Sequence, residues 1–235
     1  MITKRAMFYL AGIGYAMALA CVQVDVSFAE ESSACGMKGA KSLRVPLELQ
    51  QTSSWCWAAT IRAVINYTKP SADPIEEQCM MANRKIGKEP DSGYCCKVRM
   101  TKDLIIPPTD CYVGGWPIEV LSVYDFDTLP VPIALNWQAL TSEICLNRPF
   151  LYVIVRGGGT HVLIVLGYRY TESQPGQADE QLDPQKEWVE IYDPTHNNFE
   201  FVQYDEFVGD KLGGGQTYGY RHYSDYLQIH PRPHS

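Results

Sequence analysis

In the stretch QQTSSWCWAATIRAVINY, residues 50–67, a cysteine sits between two tryptophans at the first turn of a helical run. At that position the Cys56 thiol would face unpaired backbone N–H groups and the positive end of the helix dipole, both of which favour the thiolate. The thiolate is the form that attacks a carbonyl, provided a base stands nearby. Six residues upstream, the side-chain amide of Gln50 can donate a hydrogen bond to the oxyanion of such an attack, with the Cys56 backbone N–H as second donor. The plain alternative is a buried, inert or disulfide-bonded cysteine, with Gln50 and Gln51 as ordinary loop amides.

Histidine is scarce. His230 and His234 lie in the tail IHPRPHS, His196 in the turn DPTHNN and His222 in a polar aromatic segment. His161 alone opens an apolar strand, directly after RGGGT, where glycines let a ligand backbone approach closely. A catalytic imidazole also needs a group that fixes its tautomer. Asp193 ends the strand EWVEIYD and precedes Pro194. Two neighbouring antiparallel strands can bring the ends carrying His161 and Asp193 side by side. A core histidine and a turn-forming aspartate are the competing readings.

These residues require particular elements beneath them. A helix from about Trp55 to Tyr67, capped by Ser53 or Ser54, is expected from the apolar spacing of Trp57, Ala58, Ile61, Val64 and Ile65, with Pro70 as its stop. Asp73-Pro74 is expected to open a second helix over PIEEQCMMANRK, with Pro in its first turn. Residues 86–117 read as loop ordered by cysteines. Thr141-Ser142-Glu143 begins a short helix that ends before Pro149. The second half changes to strands at 150–156, 160–170, 187–193 and 198–204, rich in β-branched and aromatic residues. A further strand is expected within 217–229, and residues 171–186 read as a polar surface loop. Helices first and an antiparallel sheet second make the fold class α+β.

The N-terminus reads as an export signal. Lys4 and Arg5 form a positive region, Ala6–Ala20 an apolar run, and Ser27-Phe28-Ala29 a small-residue cleavage site, so residues 1–29 are expected to be a signal peptide. The run is shorter than the roughly 20 residues that span a bilayer. A lipoprotein site at Cys21 is the minor alternative for localisation, against a secreted or periplasmic protein. Residues 30–235 are expected to be one domain. Removing Lys4, Arg5 and Asp25 with the signal takes the formal net charge from −7 to −8. Without a basic run, nucleic-acid binding has no electrostatic footprint, and anionic membranes are equally unsupported as partners. Adjacent Cys95 and Cys96 lack zinc-finger spacing, HExxH is absent, and the glycine runs lack a phosphate loop's context. No metal or cofactor is expected. Of the exported cysteines Cys35, Cys56, Cys79, Cys95, Cys96, Cys111 and Cys145, an odd number, six are expected to pair and one to remain free. Their connectivity stays open.

Gln50, Cys56, His161 and Asp193, in this order, resemble the papain-like cysteine peptidases. QQTSSWCWAAT is most similar to the bacterial branch that includes plant-pathogen effector proteases and peptidase domains that trim bacteriocin leaders. RPFLYVIVRGGGTHVLIVLGY followed by IYDPT resembles the His and Asp segments of that branch, and the likeness runs from about Pro46 to Thr195. It implies a papain-like fold, with the nucleophile helix packed on a C-terminal antiparallel sheet. It implies Cys56 as nucleophile, His161 as general base and acid, Asp193 as the group orienting the imidazole, and Gln50 as oxyanion donor. A catalytic Cys56 would leave six cysteines for three disulfides. The insert at 171–186 and the tail from about Asp205 depart from the pattern.

Three functions fit these residues. The leading one is a secreted or periplasmic cysteine peptidase that acts on a protein or peptide through an acyl-enzyme, with a proteinaceous inhibitor as a candidate further partner. The second uses the same residues for transamidation or deamidation of glutamine side chains, since a fold does not fix the acceptor. The third is a disulfide-stapled binding module without turnover.

Overall fold

The thirteen-residue helix α1, Cys56–Thr68, is the scaffold of the first half of the chain. The computed structural model describes residues 35–70, 74–97, 99–101, 104–156, 159–171, 187–196, 198–209 and 221–233. The expected signal peptide with Cys21, and nearly all of the 171–186 loop, lie outside them. Ala58, Ala59 and Ala63 are buried along α1 with Ile61, Val64 and Ile65, so small and branched side chains alternate and the helix can sit close to its neighbours. Its start differs from expectation, because neither Ser53 nor Ser54 caps it. Thr52 takes that turn instead: its carbonyl accepts from Trp55 N at 3.2 Å and its hydroxyl from Ser54 N at 3.3 Å. The first-turn N–H groups of α1 therefore have no side-chain cap.

Helix α2, Gln78–Lys85, begins four residues after Pro74. Proline and the following acids suit a first helical turn, yet tertiary partners hold this segment extended. Arg62 donates from Nε to the carbonyls of Ile75 (3.2 Å) and Glu76 (3.0 Å), and Asn66 Oδ1 accepts from Ile75 N at 3.1 Å. Helix α3, Pro117–Val123, was not expected, and α4, Trp137–Cys145, starts four residues before Thr141. Asn136 caps α4 by accepting from Ala139 N at 2.8 Å, as asparagine does at this position.

A seven-stranded sheet forms the second half, with β1 (Ala40–Ser42) brought in from the N-terminal side. Between β1 and the other sheet strands lies a small separate ribbon, β2 (Arg99–Thr101) with β3 (Leu104–Ile105). The remaining sheet strands are β4 (Phe126–Val131), β5 (Phe150–Arg156), β6 (Gly159–Tyr170), β7 (Glu187–Asp193), β8 (Asn198–Gln203) and β9 (Arg221–Pro231). Their order is β4-β9-β5-β6-β7-β8, all antiparallel. The early strand β4 fell outside sequence expectation, and the last six-residue strand gives way to helix α5, Tyr204–Val208. Strand β6 is the spine. Its first half pairs with β5, from Arg156↔Gly159 to Phe150↔Val165, and where β5 ends, β1 pairs with residues 167–169. Helix α1 packs against β5, β6 and β9. This is the α+β arrangement anticipated from the sequence. Among the described residues no helix is long and apolar enough to cross a membrane.

Three disulfides join Cys35 to Cys145, Cys79 to Cys96 and Cys95 to Cys111, and Cys56 is free and buried. The adjacent Cys95 and Cys96 thus tie the 86–117 region in two directions, to α2 and to the 3-10 turn Thr109–Cys111. Unfolding a chain that begins at Glu30 without reductant is expected to expose one titratable thiol, and seven with reductant, as a thiol-reactive dye would count.

Gly167 marks where β1 docks. A Cβ there would stand 2.5 Å from the Lys41 backbone oxygen and 2.3 Å from Glu190 Oε2. Gly167→Ala is expected to destabilise the fold by about 1–3 kcal/mol through overpacking against backbone, measurable by urea denaturation.

Candidate active site

The tryptophans around Cys56 are anchors. Trp55 and Trp57 are buried, and both indole N–H groups reach out of the helix: Trp55 Nε1 donates to Cys111 O at 2.8 Å and Trp57 Nε1 to Val113 O at 2.9 Å. A buried indole needs such a partner. Gly115 completes the contact, since a Cβ there would lie 2.6 Å from the Trp57 ring. The first turn of α1 is thereby fixed to the loop that the Cys95–Cys111 disulfide closes. Cys56, its first residue, is 7 % exposed, which leaves only a narrow approach to the sulfur.

Gln50 is held by its neighbours in the chain and by a residue far from it. Gln78, 2 % exposed, grips the backbone on both sides: its Oε1 accepts from Gln51 N at 2.9 Å and its Nε2 donates to Leu49 O at 2.8 Å. Gln50 N donates to Pro194 O at 2.9 Å, and Gln50 Nε2 to Thr52 O at 2.9 Å. One hydrogen of the amide nitrogen is left over.

His161 stands at the third position of β6, opposite Ile154 of β5. The β6–β7 pairing sets Ile164 against Tyr192, so the turn after β7 returns to the level of His161. Asp193 Oδ1 accepts from His161 Nε2 at 2.8 Å and from Thr195 N at 2.8 Å. The Cys56 side chain lies close enough to the imidazole to favour its protonated form. With Nε2 committed to Asp193, Nδ1 is the nitrogen that serves Cys56. The Thr195 hydroxyl lies 3.3 Å from Gln50 Oε1 and 3.4 Å from His161 Nε2. All four residues singled out from sequence therefore meet in one place, from a helix start, a strand start, a strand end and an extended segment.

The other described histidines are engaged elsewhere or exposed. His222 Nδ1 lies 3.3 Å from Phe207 O, and its Nε2 lies 3.5 Å from the buried Asp225. His196 and His230 are exposed. Sequence reasoning passed over Gln78, Thr195 and the anchoring role of both tryptophans. Only the indoles carried a local signal, since two buried N–H donors in three residues demand two acceptors.

Electrostatics tie the pair together. Burial alone would lower the His161 pKa, but the hydrogen bond to Asp193 and the neighbouring Cys56 side chain outweigh it and push it up to about 9. Burial would raise Asp193, yet the bonds from His161 and Thr195 bring it down to about 2. Imidazolium and carboxylate therefore coexist over the whole neutral range. Among the described residues no group of His, Cys, Asp and Glu is arranged to hold a metal ion.

A helix-borne cysteine beside a sheet-borne histidine, itself held by a carboxylate, defines a cysteine hydrolase of papain-like architecture. The family model described as papain-like cysteine protease AvrRpt2 matches residues 39–209, and the chain belongs to this family. The match contains all four site residues and bears out the resemblance to effector proteases. The protein is a cysteine peptidase, a hydrolase whose substrates are proteins or peptides. No curated protein matches it.

The shifted groups make stability depend on pH with defined signs. His161, raised from 6.5 to about 9, contributes stability that is fully present below pH 6.5 and lost as pH rises through 9. Asp193, lowered from 3.8 to about 2, contributes stability present above 3.8 and lost as pH falls through 2. In Asp193→Asn, His161 loses the carboxylate that raises its pKa while burial still lowers it, so its pKa is expected to fall in an NMR titration. The wild-type loss of stability between pH 6.5 and 9 should shrink in the same variant.

Proposed function

We propose that the protein hydrolyses peptide bonds by nucleophilic catalysis at Cys56, as an exported enzyme. The observation that carries this reading is the meeting of the free Cys56 with a His161 that Asp193 holds at 2.8 Å. The Cys56 thiolate adds to the scissile carbonyl, and the C=O electron pair moves onto oxygen. The Cys56 backbone N–H at the uncapped helix start and the remaining Gln50 amide hydrogen receive that oxyanion. As the tetrahedral intermediate collapses, His161 gives its proton to the leaving amine. Water, losing a proton to His161, then attacks the thioester and returns the free thiol and the carboxylic acid product. Asp193 fixes the imidazole so that Nδ1 faces sulfur, and it stabilises the imidazolium.

Export is supported by the charged and apolar N-terminal pattern ending at Ala29 and by a fold stapled through three disulfides, which persist in oxidising compartments.

Mass spectrometry of the unreduced protein treated with iodoacetamide between pH 5 and 8 tests the site. One fast adduct at Cys56 that persists at acidic pH, and slows in His161→Ala, is expected. Casein turnover should fall by a factor on the order of 10⁴ or more in Cys56→Ala. Ammonia release from glutamine-containing peptides without chain cleavage would instead assign deamidation to the same residues. An unlabelled Cys56 would remove the catalytic role.

A further inference from the structure

Thr195 stands two residues beyond Asp193, outside the quartet that the chemistry requires, and it touches three of the four members. Its backbone N–H donates to Asp193 Oδ1 at 2.8 Å. Its hydroxyl lies 3.3 Å from Gln50 Oε1 and 3.4 Å from His161 Nε2. The residue before it, Pro194, supplies the carbonyl that accepts from Gln50 N at 2.9 Å.

Hydrogen-bond capacity fixes the direction of each contact. Gln50 Oε1 can only accept, so the single proton of the Thr195 hydroxyl points to it. The hydroxyl oxygen then has only lone pairs for His161, whose Nε2–H is directed mainly at Asp193 and secondarily at Thr195. The resulting order is His161 N–H to Thr195 O–H to Gln50 C=O. On the other side of the same amide, Nε2 donates to Thr52 O at 2.9 Å. If the amide turned over, its oxygen would face the Thr52 carbonyl, two acceptors in contact. Thr52 and Thr195 together therefore allow one orientation of the Gln50 amide and leave one N–H for substrate.

We infer that Thr195 is a positioning residue whose hydroxyl aligns the Gln50 amide as oxyanion donor and links it to the His161–Asp193 pair. The inference rests on the proposed oxyanion role of Gln50. It divides Thr195 into two functions. The backbone N–H serves Asp193 and survives any substitution other than proline, whereas the hydroxyl serves Gln50 and is lost in Thr195→Val, which keeps the branched shape.

Two reagents separate the steps. A p-nitrophenyl ester acylates Cys56 through a tetrahedral oxyanion, with p-nitrophenolate leaving. Iodoacetamide alkylates the same sulfur by displacing iodide and forms no oxyanion. Thr195→Val is expected to slow acylation roughly three- to tenfold, the range for one neutral hydrogen bond, and to leave the alkylation rate unchanged. Thr195→Ser should restore acylation. In a Gln50→Ala background, which should itself slow acylation, Thr195→Val should cost nothing further.

Gln50→Ala that slows acylation while Thr195→Val does not would overturn the inference and leave the oxyanion role of Gln50 intact. Additive losses in the double variant, or an equal loss of alkylation in Thr195→Val, would overturn it too, by placing the effect on the thiol or the fold. Unchanged acylation in Gln50→Ala would remove the oxyanion role itself, and the inference with it.

Discussion

Cys56 belongs to a helix and His161 to a strand more than a hundred residues later, and the two side chains stay beside each other only while helix and sheet stay in register. That constraint explains much of what is built around them. Helix α1 lies against β5, β6 and β9 along a face of alanines and branched residues, where closeness comes from small side chains and rigidity from the branched ones. Its first turn is held from the other side by two indole hydrogen bonds to residues 111 and 113. Cys56 is thus fixed by the core below it and the stapled loop beside it.

The same arrangement answers why tryptophan stands on both sides of the cysteine. An indole combines a large apolar surface with one N–H, so it can be buried only where a carbonyl waits for it. Two of them, separated by one residue, specify the helix start relative to two carbonyls in one loop. The Cys56 thiol placed between them is held in position. The Cys95–Cys111 and Cys79–Cys96 disulfides stabilise that loop where regular structure is scant, and with Cys35–Cys145 they leave Cys56 as the one free thiol among the described residues.

On the sheet side, the controlling fact is burial of opposite charges. A partly buried imidazole by itself would favour the neutral form, and a partly buried carboxylate the protonated one. At 2.8 Å each reverses the preference of the other. The Thr195 N–H shares in holding Asp193, and the Pro194 carbonyl draws the Gln50 segment to the same corner. The turn after β7 therefore organises His161 and Gln50 together, although it carries only one of the residues that chemistry would single out.

The sequence determined which residues are candidates for the chemistry, and it determined the periodic elements. Cys56 at a helix start, His161 at the head of an apolar strand and Asp193 at the end of another were readable because residue type and local pattern coincide there. The long strands β5, β6 and β7 were readable for the same reason. Tertiary structure decided what local pattern leaves undetermined. Pro74 with its following acids has a helix-starting pattern, but Arg62 and Asn66 hold that backbone extended and delay α2 to Gln78. Ser53 and Ser54 are good caps, yet Thr52 occupies the turn. Strand β4 carries Pro130 and few alternating apolar residues, so its place beside β9 depends on pairing rather than propensity. The cysteine pairings, the grip of Gln78 on Leu49 and Gln51, and the reach of Thr195 to Gln50 all join residues far apart in sequence. Such contacts leave no periodic trace in the chain, because they come into being only when the helix and sheet have packed.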